Sequence, residues 1–254
     1  MMAFVSIAAR EWIPRLALVA SVALGLRANA DTRHGATPMS EPLSTALLLD
    51  YFEQFLQSRD PELFRRQVLG RYNEGTLARL AKSGTVPARR AAVFALGLVG
   101  TIRANPVVAH AMRDPDPVVR NLAQNALWAI WFRADTPENN ASLEQVRIMV
   151  GSDRLDDAIH AATLLIERAP HFAEAYNQRA IAHFQLGQYK ESAADCRRAL
   201  ARNPFHIGAL SGLGRCYLDL GQPGEALQVF HRLLELQPFD ADVRDTIELL
   251  EANH

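Results

Sequence analysis

The chain repeats itself at two different periods, and this internal repetition constrains its fold more strongly than any other feature. Residues 76–106 align with residues 107–137 in a 31-residue period, and the alignment places Arg89 over Arg120. Beyond residue 138 a 34-residue period replaces the first one. A fixed period in this range indicates stacked helix pairs, because a single pair cannot bury its apolar face alone. The sequence therefore predicts two consecutive helical arrays.

Each 31-residue unit is predicted to form two helices joined by a tight turn. In the second unit Pro106 opens the first helix, where its missing N–H has no helical partner to lose. The run Asp114-Pro115-Asp116-Pro117 then breaks the chain, and Asp116 is the expected N-cap of the next helix. In the first unit we expect the second helix to end at Gly97 to Gly100, where glycine would supply a left-handed cap.

The segments "DPDPVVRNLAQNAL" and "VPARRAAVFALGLVG" resemble HEAT repeats of the short, bacterial, lyase-associated type. In that family an arginine commonly ties the turn to the adjacent repeat, so the resemblance implies a structural role for Arg89 and Arg120. The segment from Asp60 to Tyr72 shares the Asp-Pro opening but not the spacing. We interpret it as a degenerate capping helix.

The 34-residue period is marked by helix-ending residues and by small residues. Pro170, Pro204 and Pro238 recur once in each period and are expected to end second helices, because proline cannot continue a helix. Gly187 and Gly221 are expected to end first helices. Small side chains recur where the two helices of a pair should cross, since large ones would push the axes apart. These columns are Val146, Ala180 and Gly214, and Ala158, Ser192 and Ala226.

These features resemble the tetratricopeptide repeat over residues 139–238, most strongly in "AEAYNQRAIAHFQLGQYKESAADCRRALARNP" and "IGALSGLGRCYLDLGQPGEALQVFHRLLELQP". The first unit departs from the pattern, because Ser142 replaces the expected aromatic residue and Asp153 replaces the glycine. Residues 239–254 are interpreted as a terminal capping helix with a polar outer face.

Together the two resemblances predict an all-α protein, an α-solenoid of antiparallel helix pairs. We expect HEAT-like repeats over residues 41–137 and tetratricopeptide repeats with their capping helix over residues 138–254. Residues 1–40 are expected to be a signal peptide or a mis-assigned extension, disordered in either case.

Two interpretations of the N-terminal segment remain open. The apolar run from Leu16 to Leu26 has 11 residues, which suits a signal peptide and is too short to span a bilayer. Ala28-Asn29-Ala30 follows as a candidate cleavage site, whereas Glu11 and Arg27 count against export. Translation that begins at Met39 is the alternative. The first interpretation predicts an exported protein and the second a cytoplasmic one.

Charge and motifs argue against several classes of function. With 27 basic and 28 acidic residues the net charge is −1, which gives no reason to expect nucleic-acid binding. The phosphate-binding, nucleophile-elbow and HExxH motifs are all missing from the sequence. We therefore expect no catalysis, cofactor or metal. Cys196 and Cys216 are interpreted as small buried residues, although a single bridge between them is left open. Solvated or core positions are expected for His160, His171, His183, His206 and His231.

The remaining route to function is shape. The first helices of stacked pairs line a concave groove, and in tetratricopeptide repeats that groove typically holds an extended peptide or a partner helix. By their positions in the repeat, nine side chains are expected to face it: Glu174, Asn177, Ile181, Phe184, Gln185, Ser211, Arg215, Leu218 and Asp219.

Three of these side chains have an expected role. Asn177 would hydrogen-bond peptide backbone, Arg215 would pair with an acid, and Phe184 would hold an apolar anchor. Ile181 and Gly212 occupy positions at which a clamp for a C-terminal carboxylate needs polar groups, so that mode is not expected.

The sequence thus predicts a non-catalytic protein–protein interaction scaffold or adaptor, with a protein or peptide partner and no membrane span. The alternative, which follows from the HEAT resemblance, is a lyase-like or maturation factor that acts on another protein. A deep polar pocket within residues 60–135 would favour that alternative, and an open groove would favour the scaffold.

Overall fold

The computed structural model describes residues 43–252, and all regular structure within them is helical. These residues form thirteen α-helices and one short 3₁₀-helix, with no strand among them, which confirms the all-α prediction. Both interpretations of residues 1–40 fall outside the described residues. The chain divides after Ile130 into two compact units.

Several helices of the first unit begin at a side-chain N-cap. They are α1 (Leu43–Ser58), α2 (Pro61–Leu69), α3 (Glu74–Ser83), α4 (Val86–Val99), the 3₁₀-helix (Ile102–Ala104), α5 (Asn105–Ala111) and α6 (Pro117–Trp131). Asp60 Oδ1 accepts from two backbone N–H groups of α2 at 3.0 and 2.9 Å. Asp116 Oδ1 accepts from the N–H of Val119 at 2.9 Å, which confirms Asp116 as the N-cap of α6.

The two 31-residue units correspond to the helix pairs α3–α4 and α5–α6. The expected left-handed glycine cap on α4 is wrong, because Gly100 has an extended backbone with φ −70° and ψ 154°. Gly97 lies inside α4. A Cβ atom on Gly97 would lie 3.0 Å from the Cβ of Ala126. The glycine at position 97 therefore allows α4 and α6 to approach closely.

Four phenylalanine rings fill the interior formed by α1, α2 and α4. Phe52, Phe55, Phe64 and Phe94 lie with ring centroids 4.5 to 6.2 Å apart. Phe64 belongs to the segment that the sequence analysis interpreted as a capping helix, and its side chain is buried. Rings at these distances stabilise the unit beyond their burial alone.

Two arginine–aspartate pairs join consecutive helix pairs of the first unit. Arg89 donates to both carboxylate oxygens of Asp114 at 2.7 and 2.9 Å, which confirms its expected role. Arg90 contacts Asp116 in the same bidentate way, at 3.0 and 2.5 Å. Arg120 instead donates to the backbone oxygens of its own turn. Burial raises the pKa of Asp114, but hydrogen bonds from Arg89 and from backbone outweigh it, so that pKa lies below its usual value.

The second unit consists of three helix pairs and a terminal helix. They are α7 (Pro137–Gly151) with α8 (Leu155–Arg168), α9 (Ala173–Gln185) with α10 (Tyr189–Arg202), α11 (Ile207–Asp219) with α12 (Pro223–Leu236), and α13 (Ala241–Ala252). The second helix of each pair ends two residues before a proline, as the sequence predicted.

The turns inside the three pairs share one backbone conformation. Gly187 and Gly221 have φ values of 73° and 70°, in the left-handed region that glycine adopts without steric cost. Asp153 occupies the equivalent point of the first pair, with φ 60°. The first pair therefore has aspartate in place of glycine at this position, but its backbone adopts the same left-handed conformation.

Small residues lie where paired helices cross, as predicted. Ser192 and Ala180 are both buried, and the Ser192 hydroxyl donates to the Ala180 carbonyl at 2.8 Å across the α9–α10 pair. A Cβ atom on Gly214 would lie 2.6 Å from the ring of Phe230. Cys196 and Cys216 are buried and free, and the Cys216 thiol donates to Ser192 at 3.2 Å.

None of the helices within residues 43–252 combines the length and the apolar character needed to cross a bilayer.

Replacement of Gly214 by alanine is expected to destabilise the second unit by about 1–3 kcal/mol, the usual cost of overpacking a core. The buried ring of Phe230 occupies the space that the new methyl group needs. Gly224 is the matched control, because a Cβ atom there meets nothing within 4 Å. Urea unfolding of both variants tests the expectation. Equal free energies of unfolding for Gly214→Ala and Gly224→Ala would contradict it.

Candidate functional site

The nine side chains expected in the groove lie on α9 and α11, the first helices of two successive pairs. Residues 177, 181, 184 and 185 of α9 correspond, one repeat later, to residues 211, 215, 218 and 219 of α11. Spacings of three and four positions place the members of each set on one helix face. The two helices also contact each other.

The structure divides these nine side chains into a buried group and an accessible group. Glu174, Asn177 and Ile181 are 1%, 0% and 7% exposed, so the expectation that they face an open groove needs correction. The other six are half-buried or exposed. They are Phe184, Gln185, Ser211, Arg215, Leu218 and Asp219. All of them except Ser211 lie in the C-terminal halves of α9 and α11, and the six are called the open groove face below.

The buried group is organised by the carboxylate of Glu174. Its Oε1 atom accepts from Asn177 Nδ2 at 3.0 Å and from Gln178 Nε2 at 2.8 Å. Its Oε2 atom lies 2.8 Å from Nε2 of His206. A carboxylate with three donors replaces in the interior the hydrogen bonds that it makes to water. These hydrogen bonds offset the cost of removing the Glu174 carboxylate from water.

His206 links α9 to the start of α11. Its Nδ1 atom accepts from the backbone N–H of Ala209 at 3.1 Å, so the imidazole caps α11. Because Nδ1 accepts, the ring proton of the neutral imidazole is on Nε2, where it is donated to Glu174. Trp131 stacks on the same ring, with centroids 4.3 Å apart and planes 22° apart. The imidazole is fully buried.

The sequence analysis placed His206 among five ordinary histidines and missed this network. The available signal was the repeat itself. Glu174 and His206 are separated by nearly one full 34-residue period, so both fall at the N-terminal ends of successive first helices. An acid and a histidine at neighbouring helix starts are close enough to pair.

Asn177 has one polar atom left over. Its Nδ2 group donates to Glu174, while its Oδ1 atom is buried without a hydrogen-bond partner in the described part of the chain. A buried polar atom without a partner costs about 1–3 kcal/mol. The Asn177 side chain is therefore held by its Nδ2 group alone.

The open groove face combines apolar and charged groups. Phe184 packs edge-on against Tyr189, with ring centroids 5.3 Å apart, and Leu218 is 37% exposed. Burial lowers the pKa of the Arg215 guanidinium, an effect that Asp219 opposes. Burial likewise raises the pKa of Asp219, an effect that Arg215 opposes. The face thus offers two apolar contacts beside a cation and an anion that influence each other.

A second buried carboxylate fixes α9 between α8 and α10. Asp195 accepts from Arg179 at 2.6 and 2.8 Å and from Arg198 at 2.7 Å. Arg179 also donates to the Thr163 hydroxyl of α8 at 2.9 Å. Arg179 and Arg198 therefore have a structural role. Within residues 43–252 no three His, Cys, Asp or Glu side chains form a group that could hold a metal ion.

Comparison with protein families agrees with this geometry. Two tetratricopeptide repeat family models match the chain, one over residues 143–207 and the other over residues 183–250. Residues 143–250 therefore carry tetratricopeptide repeats, as the sequence predicted.

Curated relatives share part of the chain. A TPR repeat-containing protein of Rhizobium etli is 24% identical over 148 residues, which cover 58% of this chain and 72% of the relative. The small glutamine-rich tetratricopeptide repeat-containing protein 2 of Saccharomyces cerevisiae is 26% identical over 135 residues. That match covers 52% of this chain but only 38% of the yeast protein.

Solved structures also resemble the chain. The first TPR of Spaghetti (RPAP3), bound to an HSP90 peptide, is 24% identical with a TM-score of 0.45 and covers 47% of this chain and 94% of that one. The Thermus thermophilus TPR protein TTC0263 is 20% identical with a TM-score of 0.37 and covers 82% of this chain and 97% of that one.

The tautomer of His206 is a direct test of the buried network. We expect the neutral imidazole to carry its proton on Nε2, because the Ala209 N–H occupies Nδ1. Long-range ¹H–¹⁵N correlation spectra at neutral pH distinguish the two ring nitrogens, and the spectrum of His206→Gln identifies the signals. A proton on Nδ1 would contradict the network.

Proposed function

We propose that the protein is a non-catalytic interaction scaffold whose open groove face binds an extended segment of a partner protein. The observation that carries the proposal is the side-chain set of this face, in which Phe184 and Leu218 lie on the same face as Arg215 and Asp219. Apolar contacts flanked by opposite charges suit a peptide with an apolar residue between charged ones. The tetratricopeptide repeats over residues 143–250 support this assignment.

The burial of Glu174 and Asn177 sets where on α9 and α11 the peptide binds. Their polar groups are committed to the interior, apart from the Asn177 Oδ1 acceptor. We therefore assign the first contacts to the C-terminal halves of α9 and α11. Asn177 is fully buried, so it is not assigned to the peptide contacts.

Capture of a C-terminal carboxylate is not part of the proposal. Such a clamp needs polar or cationic groups at the positions of Ile181 and Gly212. Ile181 is 7% exposed and Gly212 is buried. The partner segment is therefore assigned as internal to its own chain.

We further propose that residues 41–137 are HEAT-like repeats, adjoining the tetratricopeptide repeats of residues 138–254. The Arg89–Asp114 and Arg90–Asp116 pairs support this, since each joins a helix of one pair to the turn of the next pair. The lyase-like or maturation-factor alternative requires a catalytic side chain in residues 60–135. In that segment Arg89 pairs with Asp114 and Arg90 pairs with Asp116, so these four side chains serve the fold. We therefore favour the scaffold over the lyase-like alternative.

Reversal of the charge at Arg215 tests the peptide site. Peptides are first selected on the full chain from a library of random 12-residue sequences displayed on phage, and their affinities are measured by fluorescence anisotropy. We expect Arg215→Glu to lower the affinity for acidic peptides at least about tenfold, equivalent to about 1.4 kcal/mol, without loss of helicity.

Arg66→Glu is the matched control, because Arg66 is exposed on α2 in the first unit. It should leave the affinities unchanged. If Arg215→Glu binds the selected peptides as tightly as the original chain does, the groove assignment is wrong.

A further inference from the structure

A cleft of about 370 Å³ opens between α10 and α11, outside the groove described above. Its walls come from α10, from the end of α11 and from the turn that follows. The lining residues are Lys190, Ala193, Arg197, Tyr217, Leu220 and Gln222. None of them belongs to the nine side chains expected in the groove. The volume falls in the range of small-molecule sites, about 300–1,000 Å³.

The cleft carries two cations and no acid. Lys190 and Arg197 lie on one face of α10, two helical turns or about 10 Å apart along the axis. Neither forms an ion pair with any residue from 43 to 252. The side chain of Arg197 donates to the Tyr217 hydroxyl at 3.3 Å. Two uncompensated cations in a concave site attract an anion.

The repeat architecture does not require these cations. One period earlier, the positions of Lys190 and Arg197 hold Asp156 and Thr163. One period later, the position of Arg197 holds His231, whose Nε2 atom lies 3.3 Å from Glu251. The second unit contains three helix pairs, and only the middle pair has cations at both of these positions. Both side chains are exposed, and packing between the repeats does not require them.

The remaining walls define the rest of the ligand. Ala193, Leu220 and the ring of Tyr217 give the cleft apolar surface beside the charges. The Tyr217 hydroxyl accepts from Arg197 and keeps its own proton to donate. Inorganic anions would leave the apolar walls uncovered.

We propose that this cleft binds a small organic anion, a carboxylate or phosphate group carried on an aromatic or aliphatic body. Lys190 and Arg197 pair with the anionic group, and Tyr217 donates a hydrogen bond to it. The apolar body covers Ala193 and Leu220. The site is independent of the peptide groove.

The test uses the fact that Lys82 and Lys190 are the chain's two lysines. Reductive methylation with ¹³C-formaldehyde labels both side chains and the N-terminus while it preserves the charges, and Lys82 is exposed at the end of α3. The full chain is titrated with phenyl phosphate, benzoate, inorganic phosphate and acetate. We expect the Lys190 methyl signal to shift saturably with a Kd of about 1 mM or tighter for an aromatic anion, while the Lys82 signal stays unchanged.

The two aromatic probes distinguish a phosphate from a carboxylate ligand. Arg197→Gln should lower the affinity for the tighter-binding aromatic anion at least about tenfold. Arg66→Gln, the matched control, should leave that affinity unchanged. Arg215→Glu should leave this binding unchanged, so the result is independent of the peptide groove. Equal shifts of both lysine signals, no saturation by either aromatic anion, equal affinity for inorganic phosphate, or an unaffected Arg197→Gln variant would each overturn the proposal.

Discussion

The buried carboxylate of Glu174 is the interaction on which the arrangement of α9 and α11 depends. It receives hydrogen bonds from Asn177, Gln178 and His206, and His206 in turn caps α11. Loss of one partner would leave a charge or a polar atom in the interior without compensation, which is far more costly than the absence of the whole pair. The network therefore fixes the start of one repeat against the start of the next.

The same network determines which side chains of the first helices are buried and which stay accessible. Side chains near the helix starts hydrogen-bond to one another, and Trp131 stacks on the imidazole of His206. The C-terminal halves retain exposed or half-buried side chains of mixed character, Phe184, Arg215 and Leu218 among them. The first turns thus hold the repeats together, and the later turns carry the surface to which we assign the proposed binding.

The sequence predicted features that depend on local conformation or on identical repeat positions. The helix ends before Gly187 and Gly221, the small residues at the helix crossings and the N-cap at Asp116 all follow from the chemistry of single residues. Asp153 shows the limit of this approach, because its residue type departs from the pattern while its backbone does not.

Contacts between non-equivalent repeat positions were not predictable in this way. Glu174 was expected at a groove surface, since periodicity identifies the face of a helix and not what covers that face. His206 and Asp195 gain their roles from partners in neighbouring helices. Gly97 was mistaken for a cap because close helix packing and chain reversal both favour glycine.

A double-mutant cycle on Glu174 and His206 tests the central claim most directly. Urea unfolding of Glu174→Ala, His206→Ala and the double variant gives the coupling free energy between the two side chains. The account predicts that each single change is destabilising and that the double variant loses less than their sum, with a coupling of at least about 1 kcal/mol. Effects that add to within about 0.5 kcal/mol would show that the two side chains do not interact, and would contradict the account.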